Sequence, residues 1–225
     1  MTRVLVLTAV DVEARRLGRH LGFERRRQSA WPHFAGGALE IACVGLRASQ
    51  LAARAPALGP FDVVISAGAC GALAPGLAAG DLVVPEVVVD AAGRRWTAAP
   101  LRRLMATGTL LTVGEVVETS AQKSRLWLET GARAVDMESA AIMAWAAERG
   151  VPAAVIRGVS DDAERGVPAA LAASVAGDGR VRPLRAVTAA LARGAAFTDL
   201  IELRAGTEAA LKSVAGALAT LARQA

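Results

Sequence analysis

Among 225 residues the chain has two cysteines, two histidines and two lysines. Cys43 and Cys70 carry no CxxC spacing and no flanking histidines, which excludes a zinc ribbon and a disulfide framework and points to a reducing compartment. With no partner base nearby in sequence, Cys70 is a poor candidate nucleophile. His20 and His33 read as loop or surface residues. No Ser/His/Asp arrangement, P-loop or metal constellation is visible, so neither a metal nor a cofactor is expected. No apolar run approaches the roughly 18 residues needed to span a bilayer. The opening Met1 to Leu7 is too short for a signal peptide, and a cytoplasmic protein is expected.

Because lysine occurs only at Lys123 and Lys212, the net charge of +5 comes almost wholly from arginine. The one dense basic run is Glu24 to Arg27, and the neighbouring Phe23, Trp31 and Phe34 do not interleave with it at base-stacking spacing. Nucleic acid is therefore not an expected partner. Weak contact with an anionic membrane surface is the alternative to plain solvation for this charge.

The hydrophobic content of 53% suits one substantial core, and the absence of Pro- or Ser-rich linkers and of repeats predicts a single domain over 1–225. Apolar runs suitable for buried parallel strands recur at Val4 to Leu7, Leu39 to Val44, Val63 to Ile65, Leu82 to Val89, Leu110 to Val113 and Ala153 to Val159. Helical spacing covers Asp11 to Leu21, Arg47 to Leu58, Ser120 to Thr130 and Met137 to Arg149. This alternation predicts an α/β fold of three αβα layers around a twisted, mostly parallel sheet. After Asp161 the pattern turns wholly helical, with Val167 to Val175, Pro183 to Leu191 and Phe197 to Leu221 forming a C-terminal cap around the Gly177-Asp178-Gly179 turn.

Ligands of open α/β sheets bind beyond the carboxyl ends of the strands, where this chain collects its unusual residues. Thr8 to Glu13 follows the first strand, and Gly45 to Arg47 follows the second run. Gly68-Ala69-Cys70-Gly71 is read as a tight strand exit whose N–H groups approach a ligand. Taken singly, Glu13 and Glu138 read as helix-terminus acids and Ser160 and Asp161 as caps. Together, Ala134 to Ala141 (AVDMESAA) and Val151 to Asp162 (VPAAVIRGVSDD) are far more specific. They resemble the DMES and R-x-[IV]-S-D signatures of the nucleoside phosphorylase and nucleosidase superfamily. Ser66 to Leu73 and Gly80 to Pro85 are similar to its G-x-x-G-G-L and G-D-[IL]-V-V motifs.

The resemblance implies cleavage of a purine N-glycosidic bond without a cofactor, by a homodimer or higher homo-oligomer. Asp161, oriented by Ser160, would protonate N7 of the base, and Glu13 would activate the attacking water. Glu138 would bind the ribose hydroxyls with Met137 packed beneath the sugar. Arg157 would contact ribose or an anion. Ala69, Cys70 and Gly71, with Val117 and Glu118, would border the base, although the family's usual aromatic near Val117 is absent. Ser66 stands where many phosphorylases place an arginine, which favours water. Phosphorolysis stays open through Arg47 and Arg157, with phosphate then a co-substrate. The stretch from Ser160 to Pro168, the Gly177 to Gly179 turn and Trp96-Thr97 are most similar to the hopanoid-associated subgroup, linked to adenosylhopane. The opening Thr8 to Glu13 looks more like methylthioadenosine or futalosine nucleosidases.

Overall fold

The computed structural model describes residues 2–167, 176–180 and 197–223. Its strands are β1 (Val4–Thr8), β2 (Glu24–Arg25), β3 (His33–Gly36), β4 (Leu39–Cys43), β5 (Val63–Ala72), β6 (Leu82–Val83), β7 (Val87–Asp90), β8 (Arg95–Thr97), β9 (Thr109–Thr112), β10 (Ala134–Asp136) and β11 (Ala153–Asp161). The helices are α1 (Asp11–His20), α2 (Leu51–Arg54), α3 (Ser120–Thr130), α4 (Ser139–Ala147) and α5 (Phe197–Ala222). The sheet runs β2-β3-β4-β1-β5-β10-β9-β7-β8, with β11 lying along β5 and pairing also with β6. Pairs β1/β4, β1/β5, β5/β11, β9/β10 and β7/β9 are parallel.

The continuous apolar runs have a simple cause. Alternate side chains of a strand point to opposite faces, and here both faces are covered. Leu5 and Leu7 pack with Val64, Val155 and α4's Ile142, Met143 and Ala146 on one side. Val4 and Val6 pack with Ile65, Ile156, α1's Ala14 and Leu17 and α5's Leu211, Val214 and Leu218 on the other. These are the three predicted layers. Gly158 on β11 lets α5 in closely, since a Cβ there would stand 2.4 Å from the carbonyl oxygen of Ala210.

Several boundaries differ from the sequence reading. Arg47 to Leu58 is not one helix but a 3-10 turn at Leu46–Ala48, the single turn α2 and a second 3-10 turn at Ala55–Ala57. Arg47 and Ala48 both take φ of 54°, which breaks the α-helical path. Leu82 to Val89 divides into β6 and β7. β5 extends through Gly68–Gly71 to Ala72, because β11 keeps pairing with it from Val64 to Gly71. The glycine segment is therefore strand rather than strand exit. His33 is buried on β3, where its ring bonds Ser29 Oγ and Glu40 Oε1, both at 2.7 Å, and stacks on Trp31. The short polar strands β2, β3 and β8 carry no apolar run to announce them.

The predicted helices Val167 to Val175 and Pro183 to Leu191 fall almost entirely outside the described residues. The Gly177 to Gly179 turn is docked on the 3-10 turn after β4 and on the start of α1: Gly177 O accepts Leu46 N and Ser49 Oγ, and Gly179 O accepts Asp11 N. No described helix is long and apolar enough to cross a membrane.

Candidate active site

The ends of β1, β5, β10 and β11 meet at a cavity of about 210 Å³. Glu13, in the first turn of α1, reaches across its floor. Its Oε2 accepts the N–H groups of Ala9 (3.1 Å) and Val10 (3.2 Å), and its Oε1 accepts that of Ala69 on β5 (2.9 Å). This approach explains Gly68, where a Cβ would stand 2.5 Å from Glu13 Oε1 and 2.8 Å from Arg157 Nη1. Burial raises the Glu13 pKa, against Arg157 and the three N–H donors, which pull it down.

Asp136 and Glu138 leave the end of β10 as α4 begins. Asp136 Oδ2 accepts Ser139 N at 3.1 Å and so holds the start of α4, while Thr112 Oγ1 donates to Oδ1 at 2.6 Å. Arg157, 1% exposed, binds Asp136 Oδ2 at 2.6 Å, donates to Ser66 and Ser139 Oγ at 2.9 and 3.1 Å, and stands 3.8 Å from Glu138 Oε2. Burial pulls the guanidinium pKa down, but Asp136, Glu138 and Glu13 outweigh this and raise it. Glu138 faces the cavity, with Arg47 N donating to its Oε1 at 3.1 Å. Burial pushes its carboxyl up to about 7, with Arg157 pulling down and Asp136 and Glu13 pushing further up.

At the end of β11 a β-bulge between Val159 and Asp161 turns the strand, the local device by which sheets re-aim side chains. Ser160 Oγ lies 2.6 Å from Asp161 Oδ1 and 3.1 Å from Cys70 O. Lys123, on α3, donates to Asp161 Oδ2 and to Asp162 O, both at 2.5 Å.

The structure thus brings Glu13, Ala69, Cys70, Gly71, Val117, Met137, Glu138, Ser160 and Asp161 to one cavity. It does not bring Arg157, Arg47 or Glu118 there. Arg157 lies behind Asp136 and Glu138 and supports them rather than facing a ligand. Arg47 points its Nε to Gly114 O at 2.5 Å, and only its backbone reaches Glu138. Glu118 is exposed, and its N–H is taken by Gln122 Oε1. The Ala69 N–H likewise goes to Glu13 and not to a ligand. Cys70 is buried and its thiol pKa is pushed far up by burial, which leaves it a poor nucleophile. Lys123 and Asp136 also line the cavity, and the motif reading assigned neither. A second cavity, of about 670 Å³, opens beyond Ser160 and Asp161, with Leu203, Ala205, Gly206 and Ala209 of α5 on its wall. Among the described residues no cluster of His, Cys, Asp and Glu could hold a metal ion.

No curated protein sequence matches the chain. The 5'-methylthioadenosine/S-adenosylhomocysteine nucleosidase of Helicobacter pylori superposes with a TM-score of 0.72 at 17% identity, over 100% of this chain and 99% of that one. The same enzyme from Neisseria meningitidis gives 0.71 at 17%, over 100% of both chains. Futalosine hydrolase of Helicobacter pylori gives 0.71 at 16%, over 100% and 98%. Residues 98–192 match the family model described as the phosphorylase superfamily, and the fold of the chain is that of these solved nucleosidase and hydrolase structures.

Proposed function

We propose that the chain hydrolyses the N-glycosidic bond of an adenosine-type purine nucleoside and releases the free base. The observation that carries this reading is the convergence of Glu13, Glu138 and Asp161 on one cavity from the ends of three different strands. Cleavage passes through a ribosyl cation, so the site must activate a nucleophile, hold a cationic sugar and put a proton on the departing base. A raised, buried carboxylate such as Glu13 is suited to take a proton from water. Glu138 accepts the ribose hydroxyls, and Asp161 beside Ser160 protonates N7. Water is favoured over phosphate because no arginine is among the described residues lining the cavity, and Arg157 is already paired with Asp136.

Glu138 gives this reading a pH signature. Only the ionised carboxylate accepts both hydroxyls, so kcat/KM is expected to rise as pH passes upward through about 7. Stability moves the other way. A carboxyl raised from 4.5 to about 7 stabilises the fold below 4.5 and loses that contribution as pH climbs through 7. Melting curves of the unliganded protein from pH 5 to 8 should therefore fall, and Glu138→Gln should flatten that trend while lowering kcat/KM. A flat kcat/KM profile in the parent would remove Glu138 from ribose binding.

Support for the finer reading, an adenosylhopane-like nucleoside with a bulky apolar 5' substituent, comes from the Ser160 to Pro168 and Gly177 to Gly179 pattern and from the small apolar α5 wall beside Asp161. A homo-oligomer is part of the proposal, supported by large apolar side chains at the surface such as Met105 and Leu128, 86% and 82% exposed. So is a cytoplasmic location. The deciding assay is free-base release from methylthioadenosine, adenosine, inosine, futalosine and adenosylhopane, each with and without phosphate. Release in phosphate-free buffer is expected. Strict phosphate dependence would replace hydrolysis by phosphorolysis, and no release from any of them would overturn the reading.

A further inference from the structure

Lys123 is one of two lysines in a chain whose positive charge is otherwise arginine. It sits in the first turn of α3, where a cation opposes the helix dipole, and it is 1% exposed. Both placements are unfavourable. Buried ion pairs can often be replaced by apolar residues with little loss or with a gain in stability, so a purely structural tie would be better made by an apolar side chain. The ammonium points at one group of the proposed chemistry: Asp161 Oδ2, at 2.5 Å, with Asp162 O as its second acceptor.

We propose that Lys123 is a positioning residue that acts through Asp161, fixing its carboxyl group toward the base and refilling it with the proton it passes on. This rests on the nucleosidase reading above. In the step, the C1'–N9 electron pair leaves with the base while N7 takes a proton from Asp161. One Nζ–H bond of Lys123 breaks as Asp161 Oδ2 gains that hydrogen, which leaves a neutral amine. The attacking water loses one proton to Glu13. After release of the base and ribose, Glu13 returns its proton to solvent and Lys123 takes one up, so a turnover consumes only nucleoside and water. Ser160 holds the other oxygen, Oδ1, so the carboxyl plane is fixed from both sides.

The test uses the full chain and the nucleoside that it cleaves fastest, with kcat and KM measured from pH 5 to 10 for the parent, Lys123→Met and Lys123→Arg, and melting curves alongside. Arginine keeps the charge but does not release a proton in proteins, so it separates proton supply from charge and offers a second variant if the apolar one does not fold. Expected for each folded variant is a kcat loss of about 10²-fold, the lower end of general-acid effects. KM should stay within about threefold, so that the loss falls on kcat. A folded variant with kcat within about threefold of the parent would overturn the proposal, as would a loss that falls on KM instead of kcat. If the parent releases no base from any nucleoside, the nucleosidase reading itself has failed and the proposal falls with it.

Discussion

Glu13→Gln is expected to lower base release by about 10²- to 10⁴-fold, the range associated with a positioned acid or base, while substrate KM changes only a few-fold. Glutamine keeps the shape but has one acceptor oxygen where the site uses two. If that oxygen takes the Oε2 position to accept Ala9 and Val10, the amide NH2 group faces the Ala69 N–H, and two donors oppose each other. If it turns round, two donors are lost at the start of α1 instead. A buried group left unsatisfied costs about 1–3 kcal/mol, partly offset because a charge no longer has to be buried. The melting temperature should therefore drop modestly while turnover collapses, and the mismatch between the two is the diagnostic. In the parent, burial raises the Glu13 carboxyl pKa, so the rate should fall on acidification at a pH above the usual carboxylate range. The variant should lose the part of that dependence that Glu13 sets and keep the part that Glu138 sets in kcat/KM. Turnover within about threefold of the parent would mean that water is activated elsewhere.

The parts of the site legible in sequence were those whose signal is local. Asp136 to Ser139 stand together in the chain and remain together at the mouth of α4, and Ser160-Asp161 follow an apolar strand that continues to its polar end. What was not legible depended on contacts between distant segments. Gly68 to Gly71 looked like a turn because glycines usually mark one, yet Gly68 is needed inside β5 so that Glu13 and Arg157 can approach its backbone. Arg157 looked ligand-facing through the family resemblance alone. Its partners, Asp136 and Ser66, come from β10 and β5, and they draw it beneath the cavity. A lone lysine on an amphipathic helix reads as solvated. Asp161 meets Lys123 just after a bulge in β11 that no residue pattern marks. The rarity of lysine in the chain was the one available signal. The layers themselves were legible because burial on both faces of a strand leaves an unbroken apolar run. The outermost strands β2 and β8 were not, since a strand with a single partner has room for polar residues such as Glu24 and Arg95.

Asp161→Asn is expected to reduce base release by about 10²- to 10⁴-fold with KM nearly unchanged, because an amide keeps the contact geometry but has no proton to pass to N7. It should also destabilise the fold more than Glu13→Gln does. Lys123 is 1% exposed and would lose its only carboxylate partner within ion-pair distance among the described residues. Leaving a buried charge without its partner costs about 3–5 kcal/mol, lessened here by the Asp162 carbonyl that still accepts from Nζ. The two effects can be separated by adding Lys123→Met to Asp161→Asn. Residues that act as one unit are non-additive, so the double variant should lose no further turnover and should recover part of the lost melting temperature, since the unpaired ammonium is gone. Independent, multiplying losses in rate together with a further fall in melting temperature would show that Lys123 and Asp161 work separately, and the acid of this site would then be Asp161 alone.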